Sequence, residues 1–129
     1  MKILGVDYGR RKVGLAISEG VLAKPWKILR VNDFDDAIQK IEKEIEIEKP
    51  DRVVVGVSEG QMAEETRKFL SAIRYTLSPI PVETFDETLS THSARELSRE
   101  AGVSRKKRKS LEDAFAASVM LQNYLDNNN

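Results

Sequence analysis

Residues 3–18 read ILGVDYGRRKVGLAIS, and this stretch decides the fold of the chain. Two apolar runs flank a short polar segment that contains Gly9, so the pattern predicts paired strands over 2–7 and 12–18 joined by a tight turn. Asp7 ends the first strand. A charge at the end of a buried strand costs free energy unless an opposite charge or an ion accompanies it. Asp7 is therefore the first candidate for a functional residue.

The composition predicts one domain over residues 1–129, long enough to bury a core. The chain has no cysteine and one histidine, so a metal site would use carboxylate and carbonyl oxygens. Such ligands favour Mg²⁺, Mn²⁺ or Ca²⁺ over Zn²⁺. No run approaches the roughly 20 apolar residues of a membrane span, and no signal peptide precedes the first strand. We therefore expect a cytoplasmic protein with no membrane partner.

The charges are unevenly placed although the formal net charge is zero. Five adjacent like charges repel one another, which favours a flexible basic loop over 103–109 that binds a nucleic-acid backbone. Its bases are Arg105, Lys106, Lys107, Arg108 and Lys109. Three further bases follow Asp7 directly and can bind phosphate, namely Arg10, Arg11 and Lys12. The alternatives are a surface loop without a role and a solvated turn.

The rest of the chain alternates helices with strands. Apolar spacing and chain breakers predict strands at 26–31, 53–57 and 80–85, and helices from Asn32 or Asp33 to 48 and at 62–76, 91–101 and 111–125. Pro25 would precede the third strand, where a missing donor is tolerated. The order βββαβαβαα predicts an α/β fold: a five-stranded mixed sheet with helices on its faces.

Three acids stand where a predicted strand ends or a helix begins: Asp7, Glu87 and Asp113. The ends of the first and fifth strands can share one edge of the sheet, and the small alanines of the last helix would bring Asp113 close to it. Two carboxylates about 4 Å apart repel by about 4 kcal/mol at a dielectric constant near 20. Three together would hold a proton or bind hard divalent ions. Two such ions can activate a water and stabilise the leaving oxygen in phosphodiester cleavage.

Each acid also has a purely structural interpretation. Asp7 suits a turn, Asp113 can close a capping box begun by Ser110, and Glu87 can do so with Thr84. Spacing does not exclude the other available acids, which are Glu19, Glu59, Asp86 and Glu112. Tyr8 and Trp26 can stack on bases, although Trp26 also suits a core position.

The motifs taken together resemble the YqgF family, also called RuvX or Holliday-junction-resolvase-like. The matching segments are 7–16 for its opening motif, 54–56 for its central strand, 86–91 for its acidic motif, 102–109 for its basic segment and 113–117 for its last helix. They follow the family's order over nearly the whole chain. Two segments depart from the family's pattern: the loop after the central strand is shortened to 57–61, and Thr88 stands where Arg is common.

The resemblance implies a ribonuclease H-like fold and a nuclease site in which Asp7, Glu87 and Asp113 bind two Mg²⁺ or Mn²⁺ ions. It implies a cytoplasmic role in maturing the 5′ end of the 16S ribosomal RNA precursor, with ribosomal particles as partners. A Holliday junction resolvase activity on branched DNA is also proposed for the family. The chain would be a monomer or a homodimer, and cutting a junction symmetrically would call for the dimer.

Two interpretations from other classes stay open. An actin-like ATPase or sugar kinase also begins with a strand, an Asp and a Gly turn, but it needs two such domains. Leu15 and Ala16 replace the Lys-Ser/Thr pair that a P-loop requires, which excludes that phosphate site. A non-catalytic RNA-binding module of ribosome assembly would use its acids structurally.

Overall fold

The computed structural model describes residues 1–57, 63–86 and 105–127, and the side chains among them except those of 86 and 105–114. Its elements are β1 (Ile3–Asp7), β2 (Lys12–Ser18), β3 (Ala23–Arg30), α1 (Phe34–Glu48), β4 (Arg52–Val57), α2 (Ala63–Leu77), β5 (Val82–Asp86) and α3 (Arg105–Asn127). No helix in these ranges is long and apolar enough to cross a membrane.

The strands form one mixed sheet in the order β3-β2-β1-β4-β5. β2 pairs antiparallel with both β1 and β3, whereas β1, β4 and β5 run parallel. The carboxyl ends of β1, β4 and β5 therefore lie along one edge, called here the carboxyl edge, and their beginnings lie along the opposite amino edge. The predicted five-stranded mixed sheet is confirmed.

The helices cover both faces of this sheet, also as predicted. Successive strand residues point to opposite faces, so Leu4 and Val6 are buried against α1 and α2. Ile3 lies in the cluster that contains Leu121 and Met120 of α3. The first face carries large side chains such as Phe69. The second face is made of smaller residues near the middle of the sheet.

Gly5 shows how closely α3 approaches the sheet. A Cβ atom added at Gly5 would lie 3.1 Å from the Cβ of Leu121 and 3.5 Å from the carbonyl oxygen of Ala117. Ala16 faces Gly5 across the β1–β2 ladder. Glycine and alanine at these positions therefore let the helix backbone lie directly on β1.

A hydrogen-bonded triad joins α3 to the amino edge. The Tyr124 hydroxyl accepts a hydrogen bond from Nη1 of Arg52 at 2.7 Å and donates one to Oε2 of Glu83. Burial, together with the bond to Glu83, raises the pKa of Tyr124. Because Arg52 begins β4 while Ala117 lies over the middle of β1, α3 runs from the carboxyl edge towards the amino edge.

Helix α1 has the limits that the sequence predicted. The Asp33 carboxylate caps it by accepting a hydrogen bond from the backbone N–H of Asp36 at 2.8 Å. At the other end Lys49 adopts a left-handed conformation, with φ of 49°, directly before Pro50. The alternation of Glu and Ile at 44–48 is helical, because these residues continue the apolar stripe of Ile41 and Ile45.

Several predicted boundaries are wrong. The basic run 105–109 is helical rather than a loop, because α3 begins at Arg105. Strand β3 begins at Ala23, so Pro25 lies inside an edge strand, beside a register irregularity at Leu15 and Ala16. β5 spans Val82–Asp86 rather than 80–85. The predicted helix at 91–101 lies outside the described residues.

The capping boxes proposed for two acids are wrong as well. Ser110 lies five residues inside α3, so it is not the N-cap of the helix that contains Asp113. Thr84 lies within β5 and caps no helix. Asp7 is the last paired residue of β1 rather than a turn residue.

Candidate active site at the carboxyl edge

Asp7 occupies a position that has no side chain beside it on either neighbouring strand. It pairs with Gly14 of β2 and with Gly56 of β4, and residues in direct register point to the same face. Alternation along β1 places Asp7 on the face of Ile3 and Gly5, which is the face that α3 covers. The half-buried carboxylate therefore points to the side of the sheet where the helix begins.

β5 and α3, the described elements nearest in sequence to the other two predicted acids, both reach this edge. Phe85 of β5 pairs with Gly56, in the same row as Asp7. Glu87 follows the last residue of β5 and lies outside the described residues. Asp113 lies in α3 one turn before Ala117, in the part of the helix whose side chains are not described. Among the described side chains no group of three potential metal ligands occurs.

The turn after Asp7 requires a glycine and fixes one of its three bases. A Cβ at Gly9 would lie 2.6 Å from the carbonyl oxygen of Lys12, closer than a side chain tolerates. Arg10 donates from Nε to both carboxylate oxygens of Glu65, at 3.0 and 2.9 Å, and its Nη2 lies 2.7 Å from Oε1. This pairing raises the pKa of Arg10 and lowers that of Glu65.

The remaining predicted bases fall into two groups. Arg11 is exposed at the tip of the turn, and Lys12 is the first residue of β2. Arg105, Lys106, Lys107, Arg108 and Lys109 form the first turn and a half of α3, and their side chains are not described.

The sequence interpretation missed Glu65 and Lys68 of α2, which lie beside the turn. Together with Tyr8, Arg11 and Phe34 they line a cavity of about 390 Å³ on the α1/α2 side of the carboxyl edge. The available signal was weak, since α2 is separated from the turn by about 55 residues. Trp26, predicted as a core residue or a base-stacking residue, is half-buried against the α1/α2 core.

The fold defined by this sheet and its helices is ribonuclease H-like. Thermus thermophilus RuvC, solved in complex with a Holliday junction substrate, superposes with a TM-score of 0.66 at 15% identity, covering 99% of this chain and 96% of that one. The fowlpox virus Holliday junction resolvase gives a TM-score of 0.67 at 14% identity, with 100% of both chains covered.

The family follows from the sequence itself. A family model described as "RuvX: Holliday junction resolvase" matches residues 1–127, and the chain belongs to this family of nucleases. A relative from Halothermothrix orenii is 37% identical, over 100% of this chain and 97% of its own length. One from Leuconostoc mesenteroides is 39% identical, over 98% and 95%. Both relatives are named "Putative pre-16S rRNA nuclease".

Proposed function

We propose that this protein is a divalent-metal-dependent nuclease whose Asp7, Glu87 and Asp113 bind the metal ions. The observation that carries the proposal is the position of Asp7: a carboxylate at the carboxyl edge, on the α3 face, between two glycines. A structural acid at a strand end needs no such space. An acid that shares metal ions with other carboxylates and with a substrate phosphate needs open space around its carboxylate.

The register of α3 on β1 supports the inclusion of Asp113. Gly5 lies against the turn between Ala117 and Leu121, and Asp113 precedes Ala117 by four residues. Four helical residues rise about 6 Å, and two strand residues span about 6.6 Å. Since α3 runs antiparallel to β1, the helical turn that precedes Ala117 lies on the side of Gly5 towards Asp7.

The end of β5 supports the inclusion of Glu87. β5 is separated from β1 by one strand, which corresponds to about 10 Å between the two ends. Side chains of acids at both ends can reach a shared site from that distance. The structural alternative for Glu87, a capping box with Thr84, is removed because Thr84 lies in the strand.

In the proposed mechanism the chain binds and orients the reacting groups. Two bound Mg²⁺ or Mn²⁺ ions supply positive charge that lowers the pKa of water and stabilises the leaving oxygen of the phosphodiester. Asp7, Glu87 and Asp113 would hold these ions as carboxylate ligands. The glycines on either side of Asp7 leave room for the scissile phosphate.

The bases would hold the nucleic-acid backbone. Arg11 and Lys12 lie next to Asp7 along the chain, and 105–109 stand at the N-terminus of α3, whose dipole also favours phosphate. Arg10 is held by Glu65 at 2.7 Å, so it binds phosphate only by exchanging one anion for another. Binding through such contacts weakens steeply with salt.

The proposed substrate is the 5′ end of the 16S ribosomal RNA precursor, met in the cytoplasm on ribosomal particles. The names of the full-length relatives at 37% and 39% identity support this choice. A second candidate is a four-way DNA junction, which the description of the family model favours. That reaction would require a homodimer to cut both strands, whereas the RNA cut requires only a monomer.

The test is cleavage of both substrates by wild type and by Asp7→Asn, with Mg²⁺ or Mn²⁺. We expect the variant to fold and bind but to cut about 10³-fold more slowly, because about 4 kcal/mol of metal-dependent stabilisation is lost. The matched control is Asp126→Asn, an exposed acid near the other end of α3, which should cut at the wild-type rate.

Two results would contradict the proposal. Undiminished cleavage by Asp7→Asn would remove Asp7 from the site. Binding of RNA by wild type without cleavage at any concentration of Mg²⁺ or Mn²⁺ would instead show a non-catalytic assembly module.

A further inference from the structure

We infer that the cavity on the α1/α2 side of the carboxyl edge holds one unpaired nucleotide of the substrate strand, with its base against Tyr8. The inference deepens the proposed nuclease function and rests on it. The cavity is distinct from the metal-binding acids, because Tyr8 follows Asp7 and points to the opposite face of the sheet.

The cavity has a rigid aromatic wall. The Tyr8 ring stacks on Phe69 with a centroid distance of 4.3 Å and an interplanar angle of 21°. Phe34 meets the same Phe69 ring edge-on, at 6.5 Å and 89°. Phe69 is fully buried, whereas Tyr8 and Phe34 are half-buried and line the cavity. Aromatic faces held in this way can stack on a base without reordering.

The volume and the charges fit a nucleotide. About 390 Å³ lies within the usual range for small-ligand pockets, about 300–1,000 Å³. Arg10 and Glu65 neutralise each other, and the Asp33 carboxylate caps α1. Arg11 and Lys68 are exposed cations on the cavity wall, and Lys68 also acts on the nearby Glu65 carboxylate by charge. Two such cations suit the phosphate of the bound nucleotide.

The remaining polar group on the wall can contact the base. Asn32 contributes a side-chain amide, which both donates and accepts hydrogen bonds. The base of a duplex is stacked and paired and cannot enter, whereas an unpaired base can. The cavity therefore favours a strand that is single-stranded beside the cut over a fully paired junction arm.

The experiment measures binding with a chelator present, so that no strand is cut. The probes are fluorescein-labelled 12-nucleotide oligomers, as single-stranded RNA, single-stranded DNA and the corresponding duplexes, titrated with the full chain. We expect wild type to bind both single strands more tightly than the duplexes. Tyr8→Leu should weaken single-strand binding about 10-fold, the low-to-middle range for loss of one stacked base.

Matched variants separate stacking from stability and charge. Tyr8→Phe keeps the ring and should bind like wild type. Tyr75→Leu removes an 89% exposed tyrosine at the far end of α2 and should also leave binding unchanged. Lys68→Gln should weaken single-strand binding several-fold, while Lys43→Gln, an exposed lysine of α1 outside the cavity, should not. Thermal melting checks that each variant is folded.

Equal binding of single strands and duplexes, or undiminished single-strand binding by folded Tyr8→Leu, would overturn the inference. If Tyr8→Leu does not fold, the test is the comparison of single-strand affinity between Lys68→Gln and Lys43→Gln. Equal affinities of these two variants would overturn the inference. Because no cleavage is measured, this outcome is independent of the Asp7→Asn test. The cavity can exist in a protein that does not cut, and the acids can cut without the cavity.

Discussion

The two edges of the sheet use their polar residues differently, although each contains an ion pair, Lys2–Glu48 at the amino edge and Arg10–Glu65 at the carboxyl edge. At the amino edge the polar side chains pair with one another: Lys2 lies 2.6 Å from Glu48, and the Tyr124 hydroxyl is hydrogen-bonded to both Arg52 and Glu83. At the carboxyl edge Asp7 stands between Gly14 and Gly56, with exposed cations nearby. The amino edge holds α3 in place, and the carboxyl edge is where we propose the ligand site.

Gly5→Val should have the largest effect, because α3 spans both edges and the substitution should disturb the amino and the carboxyl edge together. A Cβ at Gly5 already lies 3.1 Å from Leu121, so a branched side chain must push the helix away from β1. We expect a loss of about 1–3 kcal/mol in the free energy of unfolding. Cleavage should also fall well below the wild-type rate, because Asp113 moves with the helix.

Denaturant unfolding and cleavage rates check this prediction. The control is Gly20→Val, since a Cβ at Gly20 meets nothing within 4 Å and should change stability by less than about 0.5 kcal/mol. Equal stabilities for the two variants would show that the close approach of α3 is unimportant.

A smaller effect is expected from Tyr124→Phe, which breaks the amino edge alone. The change removes the acceptor of Arg52, whose Nε is already buried without a partner among the described residues. Nη1 of Arg52 still has Glu83 at 3.7 Å, so we expect about 0.5–1.5 kcal/mol of destabilisation, the usual net contribution of one hydrogen bond. Cleavage below the melting temperature should stay near wild type, because Asp113 lies about 16 Å away along the helix.

Thermal melting and single-turnover cleavage measure the two effects separately. Tyr75→Phe, at an exposed tyrosine, serves as the control and should change neither. A Tyr124→Phe variant that melts like wild type would mean that the triad does not anchor α3.

The smallest effect should come from Glu65→Gln at the carboxyl edge. The Arg10 hydrogen bond lowers the pKa of Glu65, so the pair stabilises the fold above the ordinary value of 4.5 and loses this contribution as pH falls through the lowered value. Between about pH 5 and pH 3, the melting temperature of wild type should therefore fall by more than that of Glu65→Gln.

Glu64→Gln is the matched control for that titration, since Glu64 is the exposed neighbour in the same helical turn. It should follow the wild-type curve. If Glu65→Gln also followed that curve, the Arg10–Glu65 pair would contribute nothing to stability in solution.

The strands and helices with strong local signals were predicted well. The apolar runs around Asp7 predicted β1 and β2, and Asp33 with its following apolar stripe predicted α1. The sequence predicts a late start for β3 because Pro25 resembles a strand boundary, whereas the strand begins at Ala23. An edge strand tolerates proline, since the missing N–H faces no partner strand.

Charge repulsion alone predicts a loop for the basic run 105–109, but helix propensity outweighs it. Lysine and arginine are good helix formers, and extending a helix that is already anchored at 115–125 orders one residue for each new hydrogen bond. The candidate acids were found from their places at element ends. The cavity beside Tyr8 could not be predicted from the sequence. The contact between Arg10 in the first turn and Glu65 in α2 produces no periodicity or motif along the chain.

The alternation of side chains along β1 has a consequence for how mutations can act. Leu4 and Val6 are buried on one face, so Gly5 and Asp7 must lie on the other. Deleting one residue of β1 shifts the register by one position. Either Asp7 or the apolar residues would then point to the wrong face of the sheet. Correct folding of β1 and correct presentation of Asp7 are thus selected together, and a misregistered strand would be lost as an unfolded chain rather than kept as an inactive one.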